Sequence, residues 1–191
     1  MQKIILASAS PRRKVLLEQL GLNFEVFPSD INEDFLIDKE PISLVEELSL
    51  KKAMQVSMKV QTGLILAADT IVVHRGTILG KPKNEVDARI ILKRLSNDVH
   101  QVITGLALIN ASSKEIILTH AITQVFFKKL QKKMIEGYIA TGEPMDKAGA
   151  YGIQGLGACF VDKIDGCYFN VVGLPISKLV DLLAYFDVDI F

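Results

Sequence analysis

Strand-length aliphatic runs and helical stripes succeed one another along this chain. Leu64 to Val73 is ten residues long, β-branched or aliphatic at most positions, and closed by His74-Arg75-Gly76. Such a run suits a central strand covered on both faces. Lys3–Ala7 and Phe24–Pro28 read as shorter strands. His100–Ile109 reads as a strand broken or bulged at Gly105, turned by Asn110–Lys114 and answered by an antiparallel partner over Ile116–Phe127. Helices are expected from Pro11 to Leu20, from Ile42 to Val60, from an Asn84 cap to Ser96, over Gln131–Ala140 and over Pro175–Phe186. Asp165-Gly166 suggests a hairpin turn between strands Ala158–Ile164 and Cys167–Val172. Strands and helices mix without strict alternation, so the pattern predicts an α/β sheet with both parallel and antiparallel pairs.

Composition narrows the classes. Of 191 residues, 49% are hydrophobic and 23% charged, enough to form a core and too apolar for disorder. The 22 basic and 22 acidic residues balance, so any anion site must be a local cluster, and a nucleic-acid-coating or membrane-surface protein is not supported. No apolar run reaches membrane-spanning length, and the chain turns polar and basic by Ser8 to Lys14, too early for a signal peptide. A cytoplasmic protein is expected. Cys159 and Cys167 have no histidine near them and read as buried free thiols. His74, His100 and His120 form no zinc pattern.

Candidate chemistry starts where residues break the local rule. Asp69 stands inside the aliphatic run, where a carboxylate loses water and its charged form is disfavoured unless cations or a metal compensate. It caps a neighbouring helix, sits at a bend where the strand reaches the surface, or is a catalytic or metal-binding carboxylate. After the first strand, Ser8-Ala9-Ser10 is a loop small enough for backbone to approach a ligand. Ser10 is then a suitable N-cap and Pro11 a suitable first helical residue. Arg12 and Arg13 in the first turn oppose the helix dipole, an arrangement that makes sense if a phosphate binds against both guanidinium and N–H groups. Otherwise both arginines are simply solvated.

In the 42–60 helix, Leu44, Val45, Leu48 and Val56 share one stripe, with Lys52 near its middle and Lys51 at its edge. Lys52 either snorkels to solvent or reaches an anion, and geometry favours it over Lys51. Gly80-Lys81-Pro82 is a turn presenting a lysine. Glu33 and Asp34, in an acidic segment, are candidates for holding a divalent cation. From Gly142 to Gly157, five glycines and a proline specify a long shaped loop rather than a helix. Gln154 there lies among glycines that leave space for a planar ligand. Its amide suits the O4 and N3–H edge of uracil or thymine, or else ties the loop to its own backbone.

Together, Leu6-Ala7-Ser8-Ala9-Ser10-Pro11-Arg12-Arg13, Lys52-Ala53, Ala68-Asp69-Thr70, Gly80-Lys81-Pro82, His100 to Gly105 and Asp146 to Gly155 resemble the Maf family of nucleoside triphosphate pyrophosphatases. The form Ala148-Gly149-Ala150-Tyr151-Gly152-Ile153-Gln154-Gly155 resembles its dTTP/UTP branch rather than the branch acting on 7-methyl-GTP. The resemblance implies one Maf-like domain over residues 1–191. Its implied fold is that of the inosine-triphosphatase-like α/β proteins, a mixed β-sheet flanked by helices in two lobes with a cleft between them. It implies hydrolysis of dTTP and UTP, or modified pyrimidine nucleotides, to monophosphate and pyrophosphate with a divalent metal, Mg2+ or Mn2+, as a housecleaning reaction. Asp69 matches the proton acceptor. Arg12, Thr70 and Gln154 match positions tied to specificity, and Ser8, Arg13, Glu33, Lys52 and Lys81 match those around phosphates and metal, with Glu33 and Asp69 the metal candidates. Asn32-Glu33-Asp34 departs from the clearer acidic pair of many relatives, which weakens the Glu33 assignment relative to Asp69. A homodimer is also implied. The family's association with septum formation supplies the alternative, a non-catalytic nucleotide-binding regulator of cell division. A GTPase-like phosphate binder does not fit, because the chain lacks the lysine-containing glycine loop.

Overall fold

A computed structural model describes residues 2–31 and 39–190. Among the described residues seven strands, β1 to β7 in chain order, form one sheet arranged as β2-β1-β3-β5-β6-β7, with β4 hydrogen-bonded to β3. Near the amino terminus, β1 (Ile4–Leu6) leads into α1 (Pro11–Gln19), β2 (Phe24–Val26), α2 (Pro41–Ser57) and β3 (Leu64–His74). The short β1 lies between β2 and β3, parallel to both, with Leu6 opposite Val26 on one side and Leu66 on the other. Parallel neighbours need long crossovers, and α1 and α2 supply them.

Further on come β4 (Thr77–Leu79), α3 (Glu85–Leu95), β5 (Val99–Asn110), β6 (Ile116–Phe127), α4 (Lys132–Ile139), β7 (Val161–Asp165), α5 (Tyr168–Val172) and α6 (Ile176–Tyr185). β4 folds back antiparallel on β3 through Arg75-Gly76, where both residues have positive φ. The aliphatic run is thus one arm of a hairpin whose short partner the hydrophobic pattern does not announce. α3 starts as expected, with Asn84 Oδ1 accepting from the Asp87 N–H at 2.9 Å and acidic residues in its first turn.

The chain divides into two compact units. One comprises residues 1–69, 104–121 and 173–191, the other 70–103 and 122–172. The first packs Ile5, Ala7, Ile65, Ala67 and Ala107 against Ala53 and Val56 of α2. The second is organised around Leu92, Leu95, Val125, Phe127, Tyr151 and Phe160, where His100, Phe127 and Tyr151 meet edge to face. His100 Nε2 and the Tyr151 hydroxyl lie 2.8 Å apart inside that core. Burial, aided by nearby His74, brings the His100 pKa down to about 4, so its ring is neutral at pH 7.

Several expectations change in three dimensions. β5 runs without a break through Gly105. The glycine is there because α2 crosses closely: a β-carbon would stand 2.3 Å from the Val45 carbonyl oxygen. Cys167–Val172 is not a returning strand, since Tyr168–Val172 is helical. Thr123 Oγ1 exchanges hydrogen bonds with the Cys167 backbone, and the buried Asn170 amide donates to Val102 O and Thr123 Oγ1 at 2.9 Å, which curls the segment inward. The cysteines are free but not buried, Cys159 being exposed and Cys167 partly so. Ser10 occupies the N-cap position of α1 without a capping side-chain bond. The 142–157 segment is a chain of short turns, three of them 3-10 (Glu143–Asp146, Ala148–Ala150 and Leu156–Phe160).

Candidate active site

The strand order β2-β1-β3 reverses direction at β1. Chain leaving β1 moves to one side, to β2, and returns past it to β3. In open α/β sheets a crevice forms beyond the carboxyl ends of the strands at such a switch point. Here the 7–10 loop leaves β1 while β3 continues past it. The Ala7 N–H still bonds Leu66 O at 2.8 Å, and Asp69 follows three residues later, about 10 Å further at the rise of a strand.

The loop is braced from within. Ser8 is buried, and its Oγ accepts from the Ser10 N–H at 3.3 Å and from Arg13 Nη1 at 2.9 Å. Arg13 Nε donates to Gly173 O at 2.9 Å. Arg13 therefore reaches back under the loop from the first turn of α1, and the Gly173 carbonyl is a partner that no local pattern announces. Arg12 is partly exposed in the same turn.

Alternation along β3 decides where Asp69 points. Ile65 and Ala67 belong to the cluster that meets Ala53 and Val56 of α2, and Asp69 shares their face. Lys52 sits one helical turn before Val56, so its ammonium meets Asp69 Oδ1 in an ion pair. Side-chain exposures of 13% and 11% show that both groups have left most of their water. Lys51 instead pairs at 2.8 Å with Glu47 on the surface. Helical phase thus separates the two lysines as the stripe predicted.

Unit two holds Thr70, partly exposed at the middle of β3, with Lys81 and Gln154, both exposed. The Gly149 N–H donates to Gly80 O at 3.1 Å, joining the 142–157 segment to the turn that bears Lys81. The glycines around Gln154 lie close against neighbouring protein groups. A β-carbon at Gly155 would lie 2.4 Å from Glu143 Oε1, and one at Gly157 would lie 2.8 Å from the Tyr138 hydroxyl. Glu143 and Tyr138 went unmarked in the sequence pattern, although an acid opening a glycine-rich segment was a usable signal.

Glu33 and Asp34 lie outside the described residues. Among the described residues no group of three or more His, Cys, Asp or Glu side chains could hold a metal ion. The Asp69 carboxylate is a hard oxygen donor of the kind Mg2+ takes, and among the described residues it does not belong to a cage of side chains that could hold an ion alone.

Similarity to known proteins runs nearly the length of the chain. A family model described as Maf-like protein matches residues 3–186. A dTTP/UTP pyrophosphatase of Desulforamulus reducens is 52% identical over 190 residues, covering 100% of both chains. One of Alkaliphilus metalliredigens is 52% identical, covering 96% of this chain and 95% of its own, and one of Clostridioides difficile is 49% identical at 98% and 97%. Among solved structures, a HAM1 protein from Coxiella burnetii shares the fold, with a TM-score of 0.51 at 16% identity over 69% of this chain and 76% of that one.

Proposed function

Because the chain belongs to the Maf-like protein family, we propose that it is a nucleoside triphosphate pyrophosphatase that hydrolyses dTTP and UTP to the monophosphate and pyrophosphate. The observation that carries this reading is Asp69, paired with Lys52 of α2, on the strand next to the Arg13-braced loop. A carboxylate placed there is a base held beside a phosphate-binding turn. The relatives named dTTP/UTP pyrophosphatase supply the nucleotide class.

In this reading Ser8, Arg12, Arg13, Lys52 and Lys81 bind the triphosphate and spread its charge. Asp69 orients a water toward the α-phosphorus and takes its proton as the new P–O bond forms. The bond from the α-phosphorus to the bridging oxygen breaks, and pyrophosphate leaves. Lys52 offsets the cost of burying the Asp69 charge and also supplies a cation to the phosphates. When bound, a divalent cation such as Mg2+ or Mn2+ neutralises phosphate charge, and Asp69 with Glu33 would hold it. Catalysis of this kind is mainly positioning and charge stabilisation. Arg12, Thr70 and Gln154 set specificity, with the Gln154 amide reading the O4 and N3–H edge of the pyrimidine.

Residues 1–191 act as one Maf-like functional domain in this reading, and the family favours a homodimer. The described residues contain no helix long and apolar enough to cross a membrane, and the reading places the enzyme in the cytoplasm in a housecleaning role. The deciding experiment is pyrophosphate release from dTTP and UTP with Mg2+ or Mn2+, alongside a purine panel. Turnover of the two pyrimidine nucleotides above the purines is expected. Tight binding without release overturns the proposal in favour of a non-catalytic regulator.

A further inference from the structure

Under the loop that carries Gln154 lies a carboxylate with no part in the proposed chemistry. Glu143 Oε1 accepts from the Tyr138 hydroxyl at 2.9 Å and from the Gly157 N–H at 3.2 Å, while Oε2 accepts from the Leu156 N–H at 2.9 Å. The Tyr138 hydroxyl in turn accepts from the Gly152 N–H at 3.2 Å. Burial alone would raise the Glu143 pKa, but the two backbone donors, the Tyr138 hydroxyl and Lys147 together hold it below its ordinary value.

These bonds fall on both sides of one short stretch. Gly152 is tied through Tyr138, and Leu156 and Gly157 are tied directly, which leaves Ile153, Gln154 and Gly155 as the bridge between anchors. A Gly155 N–H bond to Gly152 O at 3.3 Å closes that bridge into a turn. Lys147 fastens the same frame from below, with Nζ donating to Glu143 O at 2.7 Å. So short a bridge leaves the Gln154 backbone little freedom, and an exposed glutamine can hold a fixed bearing only if its backbone does. Tyr138 is itself locked in the core by its edge-to-face contact with Phe160.

We infer that Glu143, backed by Tyr138, is a positioning residue for nucleobase selection, acting by fixing the loop on both sides of Gln154. This rests on the reading of Gln154 as the base contact. Orientation matters because an amide discriminates one base edge from another only when its donor and acceptor face the right way. Without the carboxylate, two backbone N–H groups lose their shared acceptor and the bridge relaxes toward water.

The test compares kcat and KM for dTTP, UTP, dATP and dGTP in the wild type, Glu143→Gln, Tyr138→Phe, Gln154→Ala and the double variant Glu143→Gln/Gln154→Ala, with a melting temperature for each. Glutamine keeps one acceptor oxygen but turns an NH2 toward a backbone donor. Phenylalanine deletes only the hydroxyl and carries the test should Glu143→Gln fail to fold. Each single change at 143 or 138 is expected to lower the preference for dTTP over dGTP about 10-fold, chiefly through KM for the pyrimidine nucleotides. On the Gln154→Ala background, Glu143→Gln should cost no further preference. An equal loss across all four nucleotides, or an additive loss in the double variant, overturns the inference. Changed selectivity in Gln154→Ala with none in Glu143→Gln and Tyr138→Phe overturns the positioning role alone. Unchanged selectivity in Gln154→Ala overturns the base contact itself, and the inference with it.

Discussion

Lys52 and Asp69 stand 17 residues apart in the chain and form an ion pair in the fold, one on a helix and the other on the strand it covers. Each group makes the burial of the other tolerable. Breaking such a pair from one side strands a charge, which costs more than removing both partners together. The pair is therefore both a structural element and, in the proposed reaction, the source of the base.

Asp69→Asn keeps the shape and removes the charge. Turnover of dTTP should fall at least about 100-fold with little change in KM, the scale set by a positioned acid or base. Steady-state kinetics with Mg2+ checks it, and wild-type turnover would refute the assignment. A defect repaired by excess metal would identify Asp69 as a metal ligand in place of a base.

Lys52→Met leaves Asp69 desolvated without its cation. A loss of about 3 kcal/mol in urea unfolding is expected, the low end for a broken buried pair. The double variant Lys52→Met/Asp69→Asn should recover much of that loss. Additive losses would show that the ion pair contributes nothing to the fold.

Gly105→Ala tests the crossing of α2 over β5. The new methyl group would meet the Val45 carbonyl oxygen at 2.3 Å, backbone that cannot swing aside. Helix or strand must shift, at about 2 kcal/mol by the scale of overpacked cores. Denaturant titration at constant m-value reads this directly, and a neutral substitution would mean that α2 is free to move.

Acid should destabilise the protein partly through His100. Its folded pKa of about 4 lies below the ordinary 6.5, so the unfolded chain binds the extra proton first. The His100 contribution is complete above pH 6.5 and lost as pH falls toward 4, amounting to about 3 kcal/mol. His100→Gln keeps polar atoms beside Tyr151 and does not titrate. The stability difference between wild type and variant should shift against the wild type over that window. A difference independent of pH would show that the ring is not buried neutral. Asp98 acts lower on the scale, since His74 holds its pKa to about 2, and its contribution is lost only as pH falls through that range.

Much of the candidate site was legible because its signals are local. An aspartate in an aliphatic run, paired arginines after a small-residue loop, and a lysine inside an apolar stripe each conflict with their immediate surroundings. Such conflicts need no long-range information to see. The Asn84 cap and helices α3, α4 and α6 follow in the same way from adjacent residues. The 167–172 segment misled because its residues suit a strand locally. What bends it into a helix is Asn170, whose amide NH2 donates to Val102 O and Thr123 Oγ1, 68 and 47 residues away.

By itself the sequence determined the periodicities, and with them which face of each helix and strand is apolar and which polar residues are out of place. That suffices to choose Lys52 over Lys51 and to single out Asp69. Which partners those residues meet was decided only by tertiary structure. Strand order sets β3 beside β1, so the braced loop and Asp69 come to neighbouring strands, and the packing of α2 brings Lys52 onto the acid. The glycines around Gln154 make the same point, because a missing side chain gives no hint of what fills the space. At Gly155 the carboxylate of Glu143 fills it, and a contact of that kind forms only when the chain has closed on itself.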